Sequence, residues 1–554
     1  MLLRTETASE RRADPFEEDL PPGLTSAQRE AVMAEDPVLC VLAGAGAGKT
    51  GVLTLRVARR ANDATATAEH TLVCTFSRKA ADELRSRLYR LGVVGVTAGT
   101  IHRVALRILR HWRDTQGGSV PTVLGDRRRL LESVLAGHAG KRATVLNLEA
   151  EIGWAKARMI GPREYEQAAF QAQRVVRVPL GLMAELFSAY EDTRHRQGVL
   201  DLDDLLLESA IALEESPAFA DAVRWRFRHL FVDEMQDVNA AQFRLLRALV
   251  ANEPDLFVVG DPNQSVYGWN GADPQLLADL PDVFPGTRVI RLDDNHRCSP
   301  AIVSLAAAAL DGPGPAPTST RDEGSVPVLA EHESDRDEAR WVARQAWLAH
   351  RPGRRWSHMA VLGRTNAQLR AIADALVDQR IPFTFASGEL GPASDLVAPA
   401  DDATFGRRTD DNVATPGEDS TDGVVLSTFH RAKGLQWPCV FVIGLSDGLV
   451  PLASARSDAG LDEERRLLYV AMTRAEDELW CSWARRAGAD EGRNPRRPSR
   501  WLGAIERARA VAEQEQAPAG SETVASHLAL LRSLVSRDQD RQPEPSRIGT
   551  DGPG

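Results

Sequence analysis

Two short stretches carry residue types suited to phosphate chemistry. The first, VLAGAGAGKT (Val41–Thr50), alternates small residues and ends on a lysine and a threonine. Ala43, Gly44, Ala45, Gly46, Ala47 and Gly48 let backbone N–H groups approach a phosphate. Lys49 can reach β- and γ-phosphates, and the Thr50 hydroxyl can ligate Mg²⁺. A strict phosphate-loop pattern has glycine where Ala43 stands, so this stretch alone also reads as a small-residue turn. The second, HLFVDEMQD, is an apolar run closing on adjacent carboxylates. Asp233 suits a Mg²⁺ contact, and Glu234 suits a base that deprotonates water. Alone it also reads as a solvated acidic loop; with the first stretch it specifies a nucleoside-triphosphate site. Phosphoryl transfer also needs cations beyond the γ-phosphate. Arg297 in LDDNHRCSP and Arg474 in YVAMTRAEDE are candidates, although each by itself is more often a surface charge, and spacing alone does not place them.

These groups must be held by a framework. PVLCVLAG, TLVCTFS, HLFVDE and LFVVGD read as buried parallel strands, with helical patterns such as SRKAADELRSRLYRL between them. That alternation predicts an α/β layered domain. From Arg103 to Glu214 helical patterns dominate, a helical insertion. A second α/β series is expected from RVIRLDDN through VPVLAEH, MAVLGRT, GVVLSTFH, CVFVIGL and ELWCSWA. Gly391–Asp422, rich in Pro, Gly, Asp and Thr, is expected to be a disordered linker, as are the first twenty residues and most of 506–554. The chain has 554 residues, 43% hydrophobic and 26% charged, with net charge −11. This fits a multi-domain globular protein and argues against blanket, histone-like binding of nucleic acid, though not against a local basic groove. Five scattered cysteines lack metal-ligand spacing and read as buried thiols in a reducing cytoplasm. The charged N-terminus does not resemble a signal peptide, and no apolar run has membrane-spanning length.

Read in order, the stretches resemble the motifs of the UvrD/Rep/PcrA family of superfamily 1 DNA helicases. LTSAQREAV is similar to the Q motif, AGAGAGKT to its Walker A variant with leading alanine, and TFSRKAADELRSRL and GTIHRVALRIL to motifs Ia and Ib. VDEMQD resembles Walker B, VVGDPNQSVYGWNGA motif III, LDDNHRCSPAIV motif IV, STFHRAKGLQWPCVFVIGL motif V and EERRLLYVAMTRA motif VI. EIGWAKARMIGPREY resembles the actinobacterial branch. The resemblance runs from Leu24 to about Ile505. It implies two RecA-like P-loop NTPase domains with ATP and Mg²⁺ between them: 21–102 with 215–288, and 289–390 with 423–505. The insertion 103–214 would be subdomain 1B. Gln28 would read adenine, Gln264 would sense the γ-phosphate, Arg297 and Arg474 would contact it, and His296 and Gln436 would sit at the base and ribose. It further implies 3′–5′ movement on single-stranded DNA or at single-strand/duplex junctions, in DNA repair and with repair-protein partners.

Tyr267 and Trp269 lie two apart, so an extended segment presents both rings on one side. Such rings stack on bases at roughly 1–3 kcal/mol each. By the resemblance, Phe76, His102, Thr428 and His430 add DNA contacts, although Phe76 alone reads equally as a core residue. The chain departs from the family in four places. The large 2B subdomain is replaced by the short Gly391–Asp422 segment. His296 stands for tyrosine, Gln436 for glutamate, and Asn270 for the arginine after the motif III tryptophan. The expected activity is an ATP-dependent DNA helicase. The rival readings are a motor that does not open duplexes alone and a non-catalytic DNA-binding scaffold.

Overall fold

The computed structural model describes residues 20–138, 143–251, 254–310, 317–322, 324–386, 422–488 and 495–516. The expected disordered N-terminus, linker and distal tail lie almost wholly outside the described residues. Where the tail expectation meets described chain, a helix runs instead over Leu502–Gln516, with Leu502, Ile505 and Ala512 buried.

The first sheet is entirely parallel and uses β1 (Val38–Ala43), β2 (Thr71–Thr75) and β3 (Thr97–Thr100). A small pair, β4 (Thr122–Val123) with β5 (Val199–Leu200), lies in the helical segment that follows. The sheet resumes with β6 (His229–Val232), β7 (Leu256–Gly260) and β8 (Arg288–Leu292), in the order β3-β2-β6-β7-β1-β8. A second pair joins β9 (Asp294–Asn295) to β10 (Thr318–Ser319). The second six-stranded sheet contains β11 (Val328–His332), β12 (Met359–Gly363), β13 (Phe383–Phe385), β14 (Val424–Thr428), β15 (Trp437–Val442) and β16 (Ala475–Ala484). It is also parallel, in the order β11-β16-β15-β12-β14-β13.

Period-2 alternation covers both faces of each sheet. Val38, Cys40, Leu230 and Val232 enter one core, while Leu39, Val41 and Phe231 enter the opposite one. In the second sheet Ala360 and Leu362 point one way, and Met359 and Val361 the other. Continuous apolar strands such as VLCVLA follow directly from having two buried faces. All five cysteines are buried and unpaired within these cores.

Two expectations are corrected. RVIRL does not open the second sheet. As β8 it pairs with β1 and closes the first, because Ile290 and Leu292 alternate into the core that holds Leu39 and Val41. The helical insertion is also narrower than 103–214 where its own core is concerned. Helices Ile101–Thr115 and Leu202–Glu215 place Val104, Ile108, Leu205 and Leu213 against the first sheet. A separate core gathers only between Leu124 and Tyr190.

An ion-pair group fixes the N-terminal ends of β6 and β7. Asp255 receives Arg60 at 2.6 Å and His229 Nδ1 at 2.6 Å. Burial alone would raise the Asp255 pKa, but these hydrogen bonds outweigh it and hold the carboxyl down at about 2. A depressed carboxylate contributes stability that is complete above its unfolded pKa and is lost as pH falls through the folded one. Asp255→Asn should therefore cost about 2 kcal/mol near pH 7 and flatten the stability loss between about pH 4 and 2, measured as urea midpoints across pH.

Candidate active site

The loop after β1 leads into the helix Lys49–Asn62. Gly46 and Gly48 sit at φ +72° and +76°, conformations that side-chain-bearing residues rarely adopt. The turn therefore aims the N-terminal N–H groups of that helix into the cleft, where anions are favoured. Lys49 Nζ is buried 3.8 Å from Asp261 and has no hydrogen-bond partner. A phosphate would satisfy that orphaned ammonium. Thr50 lies in the first turn of the same helix.

β6 delivers the carboxylates. Asp233 is 5% exposed, and its N–H donates to the Cys74 carbonyl of β2 at 2.9 Å. Glu234 adopts the left-handed conformation, φ 54° and ψ 43°, a strained backbone of the kind that clusters at functional sites. Burial works to raise the Glu234 pKa, but Lys49, Lys433, the Gln236 amide and Arg474 together pull it below the ordinary range, so the group is a charged base. Asp233 is pushed up to about 7 by burial and by the neighbouring Glu234 charge. Two crowded carboxylates that both feel Lys49, the residue before Thr50, are a donor set that a divalent cation fits. The other convergent carboxylates, Glu191, Asp201 and Asp204, do not invite a metal, because Lys156 Nζ sits among them at 3.0, 2.6 and 2.6 Å.

Residues from the second half cap the loop. Asn295 Nδ2 donates to the Ala45 carbonyl at 2.7 Å, and the His296 N–H donates to the Gly46 carbonyl at 3.0 Å. The Gln28 amide donates to the Ala47 carbonyl at 3.0 Å and to His296 Nε2 at 3.1 Å. The opposite nitrogen of that ring, Nδ1, then donates to Thr320 Oγ1 at 2.9 Å. Gln28 Oε1 meanwhile accepts from the Thr25 N–H at 3.0 Å, so reading a base would require Gln28 to exchange one of these bonds. Arg297 Nη1 donates to the Thr473 carbonyl at 3.3 Å, and Arg474 Nη2 donates to Gln264 Oε1 at 3.5 Å. Burial, followed by repulsion from Arg297, lowers the Arg474 pKa to about 9. Thus Lys49, Glu234, Gln264, Arg297 and Arg474 share one cleft. Gln436 is exposed beside Leu435, whose carbonyl accepts from Arg474.

The aromatic residues adjoin this cleft. Phe76 and Tyr267 stack with centroids 5.0 Å apart at 13°. Trp269 is half exposed and meets Tyr267 edge-on at 6.3 Å. The segment is not extended as expected: Gly268–Asn270 is a 3-10 turn, closed by Gly271 at φ +92°, so the two rings cross rather than align. His102 is also corrected. It is 4% exposed in a recess with Phe76, Asp233 and Glu234, and burial holds its pKa at about 4, so it is a buried neutral ring and not an exposed one. Thr428 ends β14 half-buried, and His430 follows it, also lowered to about 4 by burial, Arg364 and Lys433.

Several residues of this site went unread in the sequence. Lys433 of the second half reaches Asp237 and the Gln264 carbonyl, the latter at 2.6 Å, and lies 4.0 Å from Glu234. Tyr469 Oη accepts from the Ala45 N–H at 3.4 Å. A lysine in RAKG and a tyrosine in LLYVAM carry no local signal for a task performed on another domain.

The family model for the UvrD/REP helicase N-terminal domain matches residues 24–285. The model for the UvrD-like helicase C-terminal domain matches 290–389 and 410–486. The chain is 35% identical to the ATP-dependent DNA helicase UvrD2 of Mycobacterium tuberculosis, across 87% of this chain and 81% of that one. It is 25% identical to the ATP-dependent DNA helicase PcrA of Staphylococcus epidermidis, across 83% of each. The Staphylococcus aureus PcrA matches to the same extent.

Lys433 and Asp237 form the buried tie across the cleft, at 8% and 1% side-chain exposure. Removing one member of such a pair strands the other charge. Lys433→Met should destabilise by roughly 3 kcal/mol, and adding Asp237→Asn should recover part of that loss; a urea double-mutant cycle in which the two losses simply add would rule the tie out.

Proposed function

The chain belongs to the UvrD/REP helicase family, and from that premise we propose that it is an ATP-driven motor moving 3′ to 5′ along single-stranded DNA in repair or recombination. The observation that carries this reading is the convergence of both halves on one cleft. Glu234 feels the charges of Lys49, Lys433 and Arg474, and Arg474 meets Gln264. A fold alone does not specify chemistry; such a constellation does.

In this reading Lys49 and the loop N–H groups bind the phosphates of ATP, and Thr50 and Asp233 hold Mg²⁺. The bound metal nucleotide supplies an activated phosphoanhydride. Glu234, kept ionised by its cationic neighbours, orients the attacking water and takes its proton. Arg297 and Arg474 neutralise charge developing on the γ-phosphate, an effect worth roughly 10³–10⁵ in rate for arginine fingers. Gln264 lies between Arg474 and the turn that carries Trp269, so the state of the nucleotide is felt at the aromatic strip. Phe76, Tyr267 and Trp269 stack on bases without sequence preference. Movement follows because the closed and open cleft hold the strand differently. Five unpaired thiols fit a reducing cytoplasm.

A second reading keeps the motor but drops autonomous duplex opening. Its support is a shortfall of chain. The alignment with the S. epidermidis relative spans 614 positions, more than the 554 residues present here, so that relative carries inserted segments. The C-terminal family match breaks between residues 389 and 410. The two readings part on a duplex with a 3′ single-stranded tail: strand release together with ATPase supports the helicase, and ATPase stimulated by single strands without release supports the second. Glu234→Gln should lower ATP turnover by at least about 10³-fold while ATP binding persists, read by steady-state hydrolysis beside equilibrium binding. A fully active variant would remove Glu234 from its role.

A further inference from the structure

Gly268 is gripped on both of its backbone polar atoms by side chains from two different bodies. Its N–H donates to Glu463 Oε1 at 3.0 Å, from the helix Asp458–Met472 of the second half. Its carbonyl accepts from Arg158 Nη2 at 3.4 Å, just past the helix Val145–Ala157 of the insertion. The grip is close. A Cβ on Gly268 would lie 2.6 Å from Glu463 Oε2, and one on Gly271 would lie 2.3 Å from the Ala157 Cβ. Between these two glycines stands Trp269, half exposed.

The helix that carries Glu463 runs on to the nucleotide cleft. Arg466 donates to the Ser265 carbonyl at 2.8 Å, Tyr469 meets Ala45, and Arg474 at its end meets Gln264. A rigid helix touching the phosphate loop at one end and the tryptophan turn at the other cannot shift at one contact without loading the other. We infer that Glu463 is a positioning residue that transmits the state of the nucleotide cleft to the Trp269 ring. Its carboxylate fixes the peptide before the tryptophan, while Arg158 holds the far side of the same residue as a fixed point on the insertion. This inference rests on the functional reading above.

The test uses the full chain, a fluorescent oligothymidylate, Mg²⁺ and a non-hydrolysable ATP analogue. Oligonucleotide affinity is measured with and without the analogue. For the wild type the two affinities should differ by at least about five-fold, the lower end of typical coupling between sites. In Glu463→Ala the ratio should fall to within roughly two-fold of unity, because a nucleotide that no longer biases the strand site shifts nothing there. Glu463→Gln keeps an accepting oxygen at the same reach and should retain the wild-type ratio. A merely structural role would weaken both affinities together and leave the ratio unchanged. An unchanged ratio in Glu463→Ala with oligonucleotide binding intact, or equal loss in the alanine and glutamine variants, overturns the assignment of Glu463. Failure of the wild type to bind the oligonucleotide at all overturns instead the functional reading on which it rests.

Discussion

The phosphate loop depends on the half of the molecule it faces. Buried backbone polar groups must find partners, and a loop of alternating glycine and alanine offers no side chains to supply them. Here the Ala45 carbonyl is met by Asn295 and the Gly46 carbonyl by the His296 N–H, and the Ala45 N–H finds Tyr469. Ala45 even counts among the buried residues of the second half's core. A Cβ on Gly46 would lie 2.6 Å from Asn295 Oδ1, so only a bare backbone allows this approach. The two sheets are therefore joined at the point where the nucleotide chemistry is assembled, and opening the cleft must break hydrogen bonds to the loop itself.

Charge is sorted accordingly. In the insertion, Lys156 sits among Glu191, Asp201 and Asp204, with Tyr190 also donating to Asp201 at 2.7 Å. Such a group gains little net stability over an apolar core, but with every member paired it fixes one arrangement of three helices. Those acids are spent on structure. At the cleft the balance is reversed: Asp233 and Glu234 lie together, Lys49 keeps an orphaned ammonium, and Glu234 sits in a strained conformation. Local rules are broken where ligands are to be bound and obeyed where helices are only to be held.

Much of this was legible in the chain. The strands announced themselves because two covered faces leave no room for polar alternation, and the AGAGAGKT and VDE stretches carry their chemistry within a few residues. What was not legible depends on tertiary contact. RVIRL looked like the start of a new sheet because the sequence does not say which edge a strand joins; its place beside β1 comes from Ile290 and Leu292 matching an existing core. The rings of Tyr267 and Trp269 cross because Gly271 closes a 3-10 turn against Ala157 of the insertion. His102, read as a strand contact, is enclosed by packing that no local pattern reports. Lys433, Tyr469 and Glu463 act across domain boundaries, so their neighbours in sequence say nothing about their neighbours in space.

The sealed cysteines have a consequence of their own. Burial pushes Cys40, Cys74 and Cys481 up to about 12 and raises Cys298 and Cys439 as well. Only thiolates attack peroxide or alkylating dyes, so the native chain is chemically quiet toward both. Cysteines introduced on the surface of the two halves are then the reactive handles, and dye pairs placed that way can report the distance between the halves with no native residue removed.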